Sequence, residues 1–145
     1  MRTINTFMKK PDAREVVRVG TGKRAWAYVR TDIHEHTVTD EEGEKHNEWT
    51  AVEYATQINA LTDGFEISDE LADQIIAAET DKEAKNVRAK RNILLEQTDK
   101  EMLTDRAAPE SERYQAYAAY RQALRDIPTQ TGFPFDVEWP EKPTI

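Results

Sequence analysis

The 145-residue sequence contains no cysteine, and its only serines are Ser68 and Ser111. The missing cysteines exclude disulfides, thiolate nucleophiles and cysteine-ligated zinc sites. So few serines give no sign of a serine-based catalytic triad. Carboxylates are plentiful, but none form a recognisable acid–base pair. The sequence therefore predicts a protein that is not an enzyme and carries no cofactor.

Long apolar runs are also missing. No stretch approaches the roughly 18 residues that span a bilayer, and the opening stretch MRTINTFMKKPDAREVV lacks the apolar centre of a secretory signal. Charged residues make up 33% of the sequence, so the core must be small. The 3 Trp, 5 Tyr and 4 Phe nevertheless argue for a folded chain. We expect a folded cytoplasmic protein with no membrane partner.

Basic charge is thinly spread along the chain. Residues 1–36 carry a balance of +4, residues 37–86 a balance of -11 and residues 87–145 a balance of -1, within a total of -8. Binding to a nucleic-acid backbone needs a concentrated basic surface. The acidic middle would instead repel phosphate. The sequence thus predicts no nucleic-acid partner.

The first part of the chain has the pattern of β-strands. REVVRVG (residues 14–20) and RAWAYVRT (24–31) flank a Gly-containing loop, which predicts a hairpin. In the second stretch Trp26, Tyr28 and Arg30 would share one face of the strand. HEHTVT predicts a further strand, turned by the acidic DEEGEK. NEWTAVEYATQI fits a strand through its two-residue period but would also tolerate a helix.

The second part has a helical pattern. From Ser68, an expected N-cap, to about Gln97 apolar residues recur at helical spacing. A capping-box motif at Thr80–Glu83 leaves open whether this is one helix or two. A second such motif, Thr98–Glu101, predicts a break and a short turn.

A last helix is predicted beyond that turn. Pro109 is expected near its first position, and Pro128 is expected to end it just after Ile127. The fold class is then α+β: a small antiparallel β domain, followed by a C-terminal helical hairpin with an extended arm rich in proline and aromatic residues. We place the domain boundary near residue 63, which gives domains 1–63 and 64–145.

The HEH pair is the strongest metal candidate in the sequence. On a strand His34 and His36 would lie on the same face, and imidazole is the commonest metal ligand. Two ligands do not close a site, and His46 is predicted to lie in a turn. We interpret these histidines as surface residues and predict no metal site. A small metal-dependent enzyme using this pair is the alternative from another functional class.

Aromatic residues alternate with prolines at the end of the chain. If residues 133–139 are extended, Phe133, Phe135, Val137 and Trp139 all point one way. The sequence leaves two uses of this strip open. Either it packs against the chain's own last helix, or it docks on a partner protein through aromatic anchors.

Two motifs in this region resemble a known family. KRNILLEQTD, followed by YRQALRDIPTQTGFPFDVEWPEKP, is similar to the C-terminal module of phage tail assembly chaperone proteins. The resemblance covers roughly residues 85–143 and is carried by Arg91, Leu94, Leu95, Thr98, Asp99, Tyr120, Arg121, Gln122, Leu124, Arg125, Asp126, Ile127, Pro128, Gln130, Gly132, Phe133, Pro134, Trp139 and Pro140.

The chain departs from the family pattern between the two motifs. Lys100 stands where the family usually has Trp, and LTDRAAP replaces a Pro-Asp pair. A family Trp near the last helix is matched by Tyr114 or Tyr117 at most. These departures concern the contacts of the connecting loop.

We interpret this module as a helical hairpin with an arm that wraps around it. Leu94 and Leu95 would face the last helix across the hairpin. Arg121 and Arg125 lie one helical turn apart and are expected to pair with an acidic residue of the arm, Asp136 or Glu138.

The resemblance implies a phage or prophage tail protein that binds a tail or tail-fibre protein without catalysis. The expected partner-binding residues are Phe133, Phe135, Trp139, Arg121, Arg125, Tyr117 and Tyr120. The alternative is a structural virion component, a short fibre, tail or baseplate protein that stays in the particle. The first would act in the host cell cytoplasm and the second in the virion tail. Either leaves open a homo-oligomer.

Overall fold

A computed structural model describes residues 1–59 and 64–144 of the chain. The chain divides into two compact units, Met1–Glu79 and Thr80–Ile145. The predicted domain boundary near residue 63 lies outside the described residues. Strands precede helices along the chain: β1 (Arg2–Phe7), β2 (Arg14–Arg18), β3 (Arg24–Thr39), β4 (Lys45–Asn59), α1 (Asp69–Gln97) and α2 (Glu112–Asp126). This confirms the predicted α+β class.

The N-terminal unit is built on one antiparallel sheet of strand order β1-β4-β3-β2. β2 and β3 form the predicted hairpin, with Val16 opposite Ala27. HEHTVT is the second half of β3 rather than a strand of its own, because the strand continues through an irregularity between Thr31 and His34. NEWTAVEYATQI lies in β4, so its strand interpretation is confirmed and the helix alternative is wrong.

The core of this unit is made largely of small residues. The alanines of β3 and β4 are almost completely buried. The core between the strands and the start of α1 therefore contains few large side chains. The buried hydrophobic residues are Ala25, Ala27, Val29, Ala51, Tyr54, Ala55, Ile67, Ala72 and Ile75.

Arg30 is a charged residue buried in the same sheet. Its Nε donates to Glu53 at 2.7 Å and its Nη2 to Glu15 at 2.8 Å, while Nη1 donates to the Asp12 carbonyl at 2.9 Å. Burial by itself would lower the pKa of Arg30, but the hydrogen bonds and charges of the two glutamates outweigh it and raise the pKa. The buried charge is thus fully paired, as stability requires.

Helix α1 is continuous from Asp69 to Gln97, so the motif at Thr80–Glu83 does not divide it. The predicted N-cap is confirmed, because the Ser68 hydroxyl accepts a hydrogen bond from the backbone N–H of Leu71 at 3.2 Å. The break after Gln97 is also confirmed, since a 3-10 helix follows at Asp99–Met102.

The starts of the 3-10 helix and of α2 differ in their capping contacts. Thr98 is at the N-cap position of the 3-10 helix but makes no side-chain capping hydrogen bond; its hydroxyl donates back to the carbonyls of Leu94 and Leu95 at 3.1 and 2.9 Å. Pro109 does not open the last helix, because Ser111 is the N-cap of α2 and accepts from Tyr114 at 3.2 Å. The end of α2 is as predicted, with a 3-10 helix at Ile127–Thr129 that includes Pro128.

Candidate partner-binding surface of the C-terminal unit

The C-terminal unit has a compact apolar core. Val87 of α1 packs with Tyr120 and Leu124 of α2 and with Ile127, and the last two are fully buried. The hydrophobic residues packed against this cluster are Leu94, Leu95, Phe133, Val137 and Trp139. The closing segment, residues 130–144, therefore covers the core of its own unit. This is the first of the two uses that the sequence left open.

The closing segment is not a regular strand, so the extended arm is not confirmed. Residues 131–135 form turns, and the backbone N–H of Asp136 donates to the Gly132 carbonyl at 2.7 Å. A Cβ placed on Gly132 would lie 2.0 Å from the Asp136 carbonyl oxygen, so only glycine fits there. The turns disrupt the alternation expected of an extended segment. Pro134, which that alternation would place on the face opposite Phe133 and Phe135, is buried.

Gln130 fixes the segment through its side chain. Its amide Nε2 donates to the carbonyl of Glu138 at 2.8 Å, and its Oε1 accepts from the N–H of Glu138 at 2.9 Å. A glutamine side chain thus pairs with a backbone peptide much as a neighbouring strand would. These two hydrogen bonds close the nine residues from Gln130 to Glu138 into a loop.

Basic side chains of α1 cover two of the aromatic rings. The guanidinium of Arg88 lies 5.2 Å from the centroid of Phe133, and the ammonium of Lys90 lies 4.2 Å from that of Trp139. Both distances suit cation–π attraction. Phe133, Phe135 and Trp139 are each half-buried.

The predicted tyrosines lie deeper than the phenylalanines. Tyr117 and Tyr120 are 5% and 6% exposed. The Tyr117 hydroxyl donates to the Pro143 carbonyl at 3.3 Å, which ties the end of the segment to α2. Burial raises the pKa of Tyr120, with a smaller contribution from Tyr117.

The predicted partners of Arg121 are wrong. Arg121 pairs with Asp99 at 2.7 Å and donates to Thr98 Oγ1 at 2.9 Å and to the Leu95 carbonyl, rather than to an acidic residue of the closing segment. The last carbonyls of a helix lack intrahelical donors, and a cation there is favoured by the helix dipole. Arg125 is exposed on the outside of α2.

Glu101 and Arg113 form an ion pair that the sequence did not predict. Arg113 Nη2 lies 2.7 Å from Glu101 Oε2, and the Glu101 side chain is buried. The hydrogen bond from Arg113 lowers the pKa of Glu101, and the same bond raises the pKa of Arg113. The pair ties the 3-10 helix to the start of α2. Glu101 ends the Thr98–Glu101 motif, but that motif gives no sign of a contact with Arg113.

The histidines lie in the N-terminal unit, on the β3–β4 hairpin. His34 and His36 share a face as predicted, but His46 is in β4 rather than in a turn, and its Nε2 lies 3.0 Å from Glu48 Oε1. Within residues 1–59 and 64–144, no group of three or more His, Cys, Asp or Glu side chains is placed to hold a metal ion.

Among the helices that the structure describes, none is both long and apolar enough to cross a membrane.

Comparison with known proteins supports the motif-based resemblance. The family model described as phage tail assembly chaperone protein matches residues 84–144. No curated protein and no solved structure matches the chain. The matched residues include the second half of α1, all of α2 and the closing segment, which is less than half of the chain. The C-terminal region, residues 84–144, thus matches the phage tail assembly chaperone family, as its motifs predicted.

Proposed function

We propose that this protein acts without catalysis in the assembly of a phage tail, by binding a tail or tail-fibre protein and leaving before the particle is complete. The family match over residues 84–144 carries the proposal. It supports a role in phage tail assembly, and it falls on the hairpin and the segment that closes it.

The proposed contact surface is formed by Phe133, Phe135 and Trp139. These residues are half-buried, and the Gln130 hydrogen bonds close the loop that carries Phe133 and Phe135. A fixed segment loses little conformational entropy when it binds, which favours affinity. Aromatic side chains in such settings are typical anchors of protein interfaces.

We assign the other predicted residues two roles. Arg125 is exposed and would contact the partner directly. Tyr117, Tyr120 and Arg121 are largely covered by their own unit, so they would contribute by holding α2 and the closing segment in place. We also propose that the chain is organised as two domains, 1–63 and 64–145.

Affinity capture from phage-infected cells tests the proposal. The tagged chain should retain an identified tail or tail-fibre protein, and Phe135→Ala should reduce that recovery by about tenfold, the effect of losing one interface anchor. Ile93→Ala is the matched control, because Ile93 is an exposed apolar residue of α1, at 54%. Equal recovery by all three chains would place the contact elsewhere.

A further inference from the structure

Strand β1 is an open edge of the sheet. It lies at the end of the strand order and pairs only with β4 within the described residues. Met1 and Ala55 exchange both backbone hydrogen bonds, at 2.8 and 2.7 Å. Because bonded pairs alternate along an antiparallel ladder, the backbone N–H and C=O groups of Ile4 and Thr6 point away from β4. These two residues are exposed.

The opposite edge, β2, is protected. Three of its five residues, in the sequence REVVR, are charged. Arg14 also donates to the Ile67 carbonyl at 3.1 Å and pairs with Asp69, so a further segment of chain is held beside this strand. Charged side chains and covering segments are the usual means by which proteins keep an edge strand from pairing.

β1 lacks those protections. Its sequence, RTINTF, contains one charged residue and no proline. Ile4 is 66% exposed, as is Met8 immediately after the strand. An edge with free backbone groups and exposed apolar side chains is suited to adding another strand.

We propose that β1 pairs antiparallel with β1 of a second copy of this chain, which joins two four-stranded sheets into one. A two-fold axis at Ile4 sets the two exposed isoleucines side by side. It also places Arg2 of each copy opposite Thr6 of the other, so no like charges face each other across the pair. An axis at Arg2 would instead oppose two guanidinium groups.

This pairing ends at a dimer. A two-fold interface uses the same surface on both copies and leaves no second β1 edge to extend the assembly. The outer strands of the joined sheet are then the two β2 strands, whose edges are protected. The interaction uses the N-terminal unit alone and is independent of the function proposed for the C-terminal unit.

A cysteine scan tests both the pairing and its register, because the chain has no native cysteine. In a hydrogen-bonded pair the Cα atoms lie about 5.5 Å apart, within the disulfide range. Ile4→Cys should therefore cross-link to its counterpart under mild oxidation. Thr6→Cys should not, because the two Thr6 positions would lie about 13 Å apart along the strands. Val17→Cys, on β2, is the control for random collision.

Analytical ultracentrifugation gives a readout without cysteine chemistry. The unmodified chain should sediment at twice its 16.7 kDa mass. Ile4→Lys places two ammonium groups opposite each other and should raise the dimer Kd by about tenfold or more. Val17→Lys, at a position 42% exposed, is the same change on the other edge and should leave the dimer intact.

Two results would overturn the proposal. One is a monomer at every concentration. If Ile4→Lys then also fails to capture the tail or tail-fibre protein, β1 pairs with a strand of that protein and not with a second copy. The other is a dimer in which Val17→Cys cross-links as readily as Ile4→Cys. Circular dichroism of each variant checks that the sheet is retained.

Discussion

Gln130 and Glu138 are joined by two hydrogen bonds, from the glutamine Nε2 to the glutamate carbonyl at 2.8 Å and from the glutamate N–H to the glutamine Oε1 at 2.9 Å. This single side chain closes the loop that carries Phe133 and Phe135. The arrangement of the proposed contact surface therefore depends on a residue that does not itself belong to that surface.

Removing this side chain should loosen the segment. Gln130→Ala loses both hydrogen bonds and is expected to lower the free energy of unfolding by about 1 kcal/mol, since the bonds are exposed to water. Urea titration followed by far-UV circular dichroism measures the change. Gln122→Ala is the matched control, because its amide makes one exposed bond to Asp126 at 3.0 Å. If Gln130→Ala lowers the free energy of unfolding by no more than Gln122→Ala does, the loop does not depend on the Gln130 hydrogen bonds.

Gly132 should tolerate no side chain. A Cβ there meets the Asp136 carbonyl oxygen at 2.0 Å, and moving backbone to relieve such a clash costs about 1–3 kcal/mol. Thermal unfolding of Gly132→Ala should show that loss. Gly22→Ala is the control, because a Cβ at Gly22 meets nothing within 4 Å. Equal midpoints for the two variants would contradict the turn at residues 132–136.

Trp139 should contribute to stability even though it is only half-buried. Trp139→Ala removes its packing on the core cluster and is expected to cost about 2 kcal/mol, below the range for a fully buried tryptophan. Lys90→Gln removes only the cation over the ring and should cost about 0.5–1 kcal/mol. Leu103→Ala, at a site 53% exposed, is the reference for a surface change. An unchanged midpoint for Trp139→Ala would mean that the ring is free of the core.

The free energy of unfolding of the C-terminal unit should fall at low pH, because Glu101 is then protonated. Because the Arg113 hydrogen bond lowers the pKa of Glu101 in the folded chain, its stabilising effect is fully present above the ordinary value of 4.5. It is lost as the pH falls through the lower, folded value. Thermal midpoints between pH 7 and 3 should therefore fall less steeply for Glu101→Gln than for the unmodified chain. Glu110→Gln, an exposed neighbour, should keep the original slope.

The sequence was informative where one periodicity prevails. β2, the first half of β3 and the core of α1 follow from regular apolar spacing, whereas the pattern of β4 allowed either a strand or a helix. β1 escaped prediction because RTINTF has no apolar face: Ile4 and Phe7 point to opposite sides of the sheet.

The closing segment shows why a period can mislead. Alternating aromatics predicted an extended arm, but Gly132 permits a close approach to Asp136 that turns the chain. Similarly, helical spacing aligned Arg121 with Arg125. It could not show that the carbonyls at the end of α1 would compete for Arg121, because that contact depends on how the hairpin packs. The partner-binding roles of these residues remain predictions.

Quantitative mass spectrometry of infected-cell lysate and of purified phage particles tests the proposed function most directly. The proposal predicts that the chain is abundant in the lysate, bound to a tail or tail-fibre protein, and absent from finished particles. A fixed number of copies in every particle would contradict it and identify the chain as a structural component of the virion.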